Sequence, residues 1–183
     1  MKRIFVFIFA ALAVLFMQAP FSGTVEAARV AVAPIEINDA KVARGSDFNN
    51  YYWDIMIDKF RYPEYDLIDE AKTEAVIPYD GLKVFDQKTL AAICDNTDAD
   101  IIVAMRLDDV HGQVDRSRRE PRTKCYMKGL FAGYNRLTGK YFLKKINYNS
   151  EMETVLTLKN DWQYNAFSST LKRCLNQMLE AKG

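Results

Sequence analysis

Asp108-Asp109-Val110-His111 is the one stretch of the chain whose residue types and spacing suit metal or proton chemistry, and His111 is the sole histidine. In a β-strand, alternate side chains share a face, so Asp109 and His111 lie on one side, about 7 Å apart along the chain. That pair could offer two ligands to a divalent cation. A protein-built site takes three or four ligands, and no second histidine or paired carboxylate completes one here. The other acidic residues are scattered, without the pairing that general acid–base catalysis needs. Ser168-Ser169 falls in a helical segment with no histidine nearby in sequence, and no G-x-S-x-G, P-loop or G-x-G-x-x-G occurs. We therefore read 108–111 as a polar strand end and assign no catalytic, cofactor or metal residue. A secreted hydrolase or metal-dependent enzyme with a site near Asp109 and His111 is the alternative.

The second chemical feature follows at once. In "VHGQVDRSRREPRTKCY", Arg116, Arg118, Arg119, Arg122 and Lys124 place five cations in nine positions, offset nearby by Asp115 and Glu120. Arginine pairs with phosphate and carboxylate, often through two parallel hydrogen bonds. Solvation alone is the plain reading of an exposed cationic tip. As a contact site, these five residues suit an acidic protein partner or, as a further alternative, an anionic membrane surface. The aromatic residues that interleave a single-stranded nucleic-acid grip are missing from 112–124.

Charge over the whole chain separates these classes. Lys2 and Arg3 precede an unbroken apolar run of 14 residues, Ile4 to Met17, and "Val25-Glu26-Ala27" has small residues where a signal peptidase cuts. This is the three-part pattern of a secretory leader, with cleavage expected after Ala27. The run is too short for a spanning helix, which takes about 20 residues. Residues 1–27 hold two of the 25 cations and one of the 24 anions, so the remainder balances at 23 of each. A nucleic-acid binder carries a clear positive excess, so we expect none. The first cysteine is Cys94, so no lipid-bearing cysteine follows the apolar run. We expect a protein exported to the periplasm or beyond, with no transmembrane helix after cleavage.

About 150 residues suit one domain with a real core. "RVAVAPIEI" alternates and predicts a strand over 29–37, with Pro34 marking an edge or a bulge. Phe48, Tyr52, Ile55, Met56 and Phe60 recur at helical spacing, with Ser46 or Asp47 as the cap and Pro63 as the stop. "YDLID" predicts a short strand, and a helical turn follows over 71–77. Asp86 is the expected N-cap of a helix carrying Leu90, Ile93 and Cys94 inward, with Asn96 a left-handed C-cap. "ADIIVAMRL" is apolar on both faces, as in a strand covered on both sides, and it continues toward His111. "TKCYMKGLFAGYN" and "KYFLKKINYN" alternate around an "NRLTG" hairpin turn, and "EMETVLTL" is read as further strand. From Asn160 or Asp161 onward, Tyr164, Phe167, Leu171, Cys174, Leu175 and Met178 stripe a final helix. Cys94, Cys125 and Cys174 sit in apolar or alternating patterns and read as small buried hydrophobes; one disulfide with a free thiol is the alternative. The expected fold is a single α/β (α+β) domain over 28–183. It has a mixed sheet of about five strands, helices mainly on one face, and long antiparallel C-terminal hairpins.

This order, with "RVAVAPIEI", "YDLID" and "LAAICDNTDADIIVAMRL", resembles the N-terminal domain of TolB together with CsgG- and LpoB-like bacterial envelope proteins. In that family the second helix runs into a small-residue turn ending in Ala-Asp and then a hydrophobic strand. Ala99-Asp100-Ile101 matches that turn, and "LTGKYF" matches the usual hairpin. Asp98 stands where such sequences usually carry glycine. The resemblance implies the fold, an envelope location, and a non-catalytic role in assembly or protein contact with an envelope protein partner of unknown identity. It transfers no catalytic residue.

Overall fold

The apolar run after residue 100 needs cover on both sides, and the computed structural model of the chain shows how two layers supply it. The structure describes residues 26–38, 48–77, 81–117, 119, 122–152 and 161–180. Its strands are β1 (Ala28–Val32), β2 (Glu36–Ile37), β3 (Tyr65–Leu67), β4 (Ile101–Asp115), β5 (Arg122–Asn135) and β6 (Lys140–Met152). Its helices are α1 (Phe48–Lys59), α2 (Glu70–Glu74), α3 (Gln87–Thr97) and α4 (Asp161–Glu180). The sheet runs β3-β1-β4-β5-β6, and β2 also pairs with β4. β1 is parallel to β3 and β4, whereas β4, β5 and β6 are antiparallel neighbours. This is the expected mixed α/β sheet: a five-strand path plus a two-residue addition.

Two core layers flank the sheet. On one face Val30, Val32, Ile101, Val103, Met105 and Leu107 pack with Tyr52, Ile55 and Met56 of α1 and Phe167, Leu171 and Leu175 of α4. Edge-on aromatic contacts tie the two helices, with Phe48 and Phe167 centroids 5.1 Å apart. On the other face Ala31, Ala33, Ile102, Ala104 and Ala132 meet Leu90, Ile93 and Cys94 of α3, with Phe85 and Ile77. The alanines there let α3 lie close to the sheet. The two longest helices thus share one face, and α3 covers part of the other. Burying each Leu, Ile or Phe of these layers contributes about 1.5–3 kcal/mol.

Local chemistry sets the boundaries. The expected strand over 29–37 is split at Ala33–Ile35. Val32 pairs with Val103 and Glu36 with Arg106, so four steps on one side oppose three on the other, which is the bulge anticipated at Pro34. The Asp86 carboxylate accepts the Thr89 N–H at 2.7 Å, an N-cap that holds its pKa below the ordinary range through that same bond. The C-terminus corrects the sequence reading: Asn96 lies inside α3, and Asp98 takes the left-handed position at φ 54°. Such a backbone conformation favours glycine. Asp98 nevertheless adds a carboxylate that pairs with Arg29 and, at 3.5 Å, with Arg136. Ser46, Asp47, Pro78, Asn160 and residues 153–158 of "EMETVLTL" lie outside the described residues. β6 accounts for Glu151 and Met152, and Asp161 opens α4 rather than preceding it.

One irregularity reorganises the sheet's far half. The β4–β5 register shifts between Leu107 and Asp109, a β-bulge in which one residue is extra on β4. Leu107 and Val110 therefore both face the α1/α4 layer. Gly129 pairs with Leu107, and a Cβ built there would sit 2.2 Å from the Arg106 carbonyl oxygen. Backbone cannot yield as a side-chain tip can. Gly129→Ala is expected to lower stability by about 1–3 kcal/mol, read as a lower urea midpoint. By contrast Gly139, at φ 68° with nothing near its Cβ position, carries only the left-handed strain of about 1–2 kcal/mol on substitution. A G129A protein with an unchanged midpoint would show that the bulge is not sterically enforced.

Candidate functional site

Beyond α3, the β4–β5–β6 ribbon shows a polar outward face built in rows. The bulge turns Asp109 and His111 to this face, the same one that carries Arg106. The register sets Arg106, Leu130 and Lys145 in one row, Asp109, Lys128 and Asn147 in the next, and His111, Tyr126 and Asn149 in the third. Gln113 and Lys124 follow toward the hairpin end.

The middle rows hold Asp109 and His111. His111 Nδ1 and the Asp109 carboxylate are hydrogen-bonded at 2.8 Å, and the imidazole stacks on Tyr126 with centroids 4.9 Å apart and planes 18° apart. Asp109 and His111 thus share a face, as alternation requires. No group of three His, Cys, Asp or Glu that could hold a metal forms among the described residues. What the arrangement does hold is an oriented imidazole: one ring nitrogen engaged by a carboxylate, one ring face covered by a phenol.

The hairpin end carries the basic residues. β4 and β5 stay paired out to Asp115 and Arg122, about 10 Å past Gly112, which pairs with the buried Cys125. Arg116 and Arg119 are exposed in the connecting loop. Lys124 is half-buried on β5, opposite Gln113. Arg122 opens β5, and Arg118 lies outside the described residues. The structure therefore places the segment at a strand-to-strand turn, with Arg122 and Lys124 on β5 and Arg116 and Arg119 in the connection.

Sequence reading missed a second set of cations nearer the bulge. A groove of about 290 Å³ crosses the ribbon, lined by Arg106, Asp108, Lys128, Leu130, Lys145 and Asn147 over the backbone of Gly129 and Ile146. Arg106 Nε donates to Asp108 at 2.8 Å, and its guanidinium lies 5.7 Å from the Phe85 ring centroid. Asn38 donates to the same Asp108 oxygen at 2.9 Å. These residues lie far apart along the chain and form no motif. Their signal is the outward parity of Lys128 and Lys145, legible once the β5–β6 register is known.

At the opposite end of the sheet, Asp100 ties three strands. Its carboxylate accepts the Arg29 backbone N–H at 2.9 Å and Arg136 Nη2 at 3.1 Å. Its own N–H donates to the Arg29 carbonyl, and its carbonyl accepts the Arg136 N–H. The Asp100 hydrogen bond is the chief cause of the raised Arg136 pKa. The Ala99-Asp100 turn is therefore a structural clamp.

All three cysteines are buried and unpaired. Burial pushes the Cys94 thiol up to about 12 and the Cys125 thiol up to about 11, and Cys174 moves the same way. At about pH 8 a thiol of pKa 11 is thiolate in roughly one molecule per thousand. Iodoacetamide is expected to leave the native protein unmodified, and to add three labels in urea without reductant. One label in urea would reveal a disulfide instead.

No protein-family profile matches the chain, and no curated protein matches it in sequence. Solved structures with a partial likeness include the hypothetical protein CT253 of Chlamydia trachomatis, at 12% identity over 84% of this chain and 94% of that one, TM-score 0.44. LpoB of E. coli is 10% identical over 69% of this chain and 59% of its own length, TM-score 0.39. Lipoprotein GNA1162 of Neisseria meningitidis is 12% identical over 81% and 99%, TM-score 0.37. Among the described residues, no helix is long and apolar enough to cross a membrane.

Proposed function

We propose that the chain is an exported, non-catalytic protein of the bacterial cell envelope that works through protein–protein contact in an assembly or accessory role. In this reading residues 1–27 are a cleaved leader. The chain is related to the TolB N-terminal domain and to CsgG- and LpoB-like proteins through the elements that "RVAVAPIEI" and Ala99-Asp100-Ile101 begin. Arg116, Arg118, Arg119, Arg122 and Lys124 meet an acidic surface of an envelope partner.

The observation that carries the reading is the hairpin itself. β4 and β5 stay paired to their last residues, so Arg116 and Arg119 are presented beyond the buried part of the hairpin. Exposed charges of one sign so placed steer encounter with an opposite charge. A balanced total charge directs that attraction to the tip and away from polyanions in general.

Two measurements test this. The exported protein is expected to begin at Ala28 on N-terminal sequencing; retention of residues 1–27 overturns the leader. A photoreactive residue at Ser117 is expected to crosslink one envelope protein in cells. Arg116→Glu with Arg119→Glu is expected to abolish that crosslink and to slow association on the order of tenfold or more at low salt. A crosslink unaffected by charge reversal, or none at all, removes the tip as the contact.

A further inference from the structure

The groove over the bulge carries cations that the hairpin tip does not explain. Arg106, Lys128 and Lys145 line it against one carboxylate, Asp108. That carboxylate is already engaged twice, by Arg106 and by Asn38. Lys128 pairs in register with Asn147, which makes Lys145 its diagonal neighbour across β5 and β6, about 7–8 Å away between backbones. Both lysines are exposed. Across β4, Lys128 faces Asp109, but the Asp109 carboxylate is turned to His111. Neither lysine has a salt-bridge partner among the described residues. The two lysines and the arginine concentrate positive charge on this face of three adjacent strands, a local field that attracts an anion.

The lining also says which anion fits. A planar carboxylate is best met by a free arginine fork. Here the Arg106 Nε is taken by Asp108 and the guanidinium lies over Phe85. With that edge of the fork taken, the lining adds two lysine ammonium groups, point charges that suit a tetrahedral oxyanion approached from several sides. The volume of about 290 Å³ equals about ten waters, enough for a phosphate and a short organic stem, with Leu130 as the apolar wall. Asn147 adds an amide donor at the rim. We propose that this groove is a phosphate-group site, distinct from the hairpin tip, which lies roughly 25 Å away along β4. The group can come from a soluble phosphate ester or from a phospholipid headgroup; the chemistry of capture is the same.

Titration of ¹⁵N-labelled protein with inorganic phosphate, at constant ionic strength against chloride, reads the site directly. The amides of Lys128, Gly129, Lys145 and Asn147 are expected to shift and saturate. Lys128→Gln with Lys145→Gln is expected to weaken binding at least about tenfold, whereas R116E with R119E leaves it unchanged. Single Lys145→Gln, expected to weaken binding in part, serves if the double variant unfolds. Co-sedimentation with phosphatidylcholine vesicles, with and without phosphatidylglycerol, identifies the source. Binding to anionic vesicles that disappears in the double lysine variant assigns the headgroup. Saturable phosphate binding without vesicle binding assigns a soluble ester. Shifts that do not saturate, that chloride reproduces, or that survive loss of both lysines overturn the site.

Discussion

The close approach of Gly129 to the Arg106 carbonyl, at the β4 bulge, is the constraint on which the far half of the sheet depends. It leaves room for one extra residue in β4, and that residue inverts the parity of everything after it. Before the bulge, odd-numbered residues of β4 face α1 and α4. After it, Val110 faces them and Asp109 and His111 turn away. Without the extra residue, the histidine and its carboxylate would point into the apolar layer, where desolvation opposes a charged pair. The polar ribbon face, the His111–Tyr126 stack and the groove all lie on the face that this register shift sets.

The other end of the sheet is organised by charge. Asp98 and Asp100 sit between α3 and β4 and hold Arg29 of β1 and Arg136 of the β5–β6 turn. The salt bridges to Asp98 are solvent-facing and individually weak. The hydrogen bonds of Asp100 to the backbone are directional, and they fix where β4 starts relative to both neighbours. A clamp at one end and a bulge at the other give the hairpin its reach. The distance between the core and the basic tip is set by the register between them, and a slip at either point would move the tip or flip its face.

Much of this architecture was legible in the residues. The Asp86 cap, the α1 and α4 stripes, the doubly covered run of β4 and the hairpin around "NRLTG" all rest on local chemistry, which operates over a turn or a few residues. Pro34 signalled its bulge because it lacks the ladder donor. The left-handed residue was misplaced by two positions, because asparagine is the better local candidate and only the ion pairs explain why aspartate occupies the position. The β4 bulge left no comparable mark: "RLDDVHG" alternates plausibly in either phase. The groove was invisible for a different reason. Its cations come from three strands, and only their register makes Arg106, Lys128 and Lys145 neighbours.

The amino-acid sequence by itself determined the element types, the mixed α/β class and the presence of a cationic turn between two long strands, because propensity, periodicity and capping act over short distances. Only the tertiary structure decided which face Asp109 and His111 occupy, that the Ala99-Asp100 turn is a clamp, and that two lysines share a groove with an arginine. Those outcomes depend on strand register and on close backbone contact at Gly129, and both are settled by residues distant in sequence when the sheet packs between its helices.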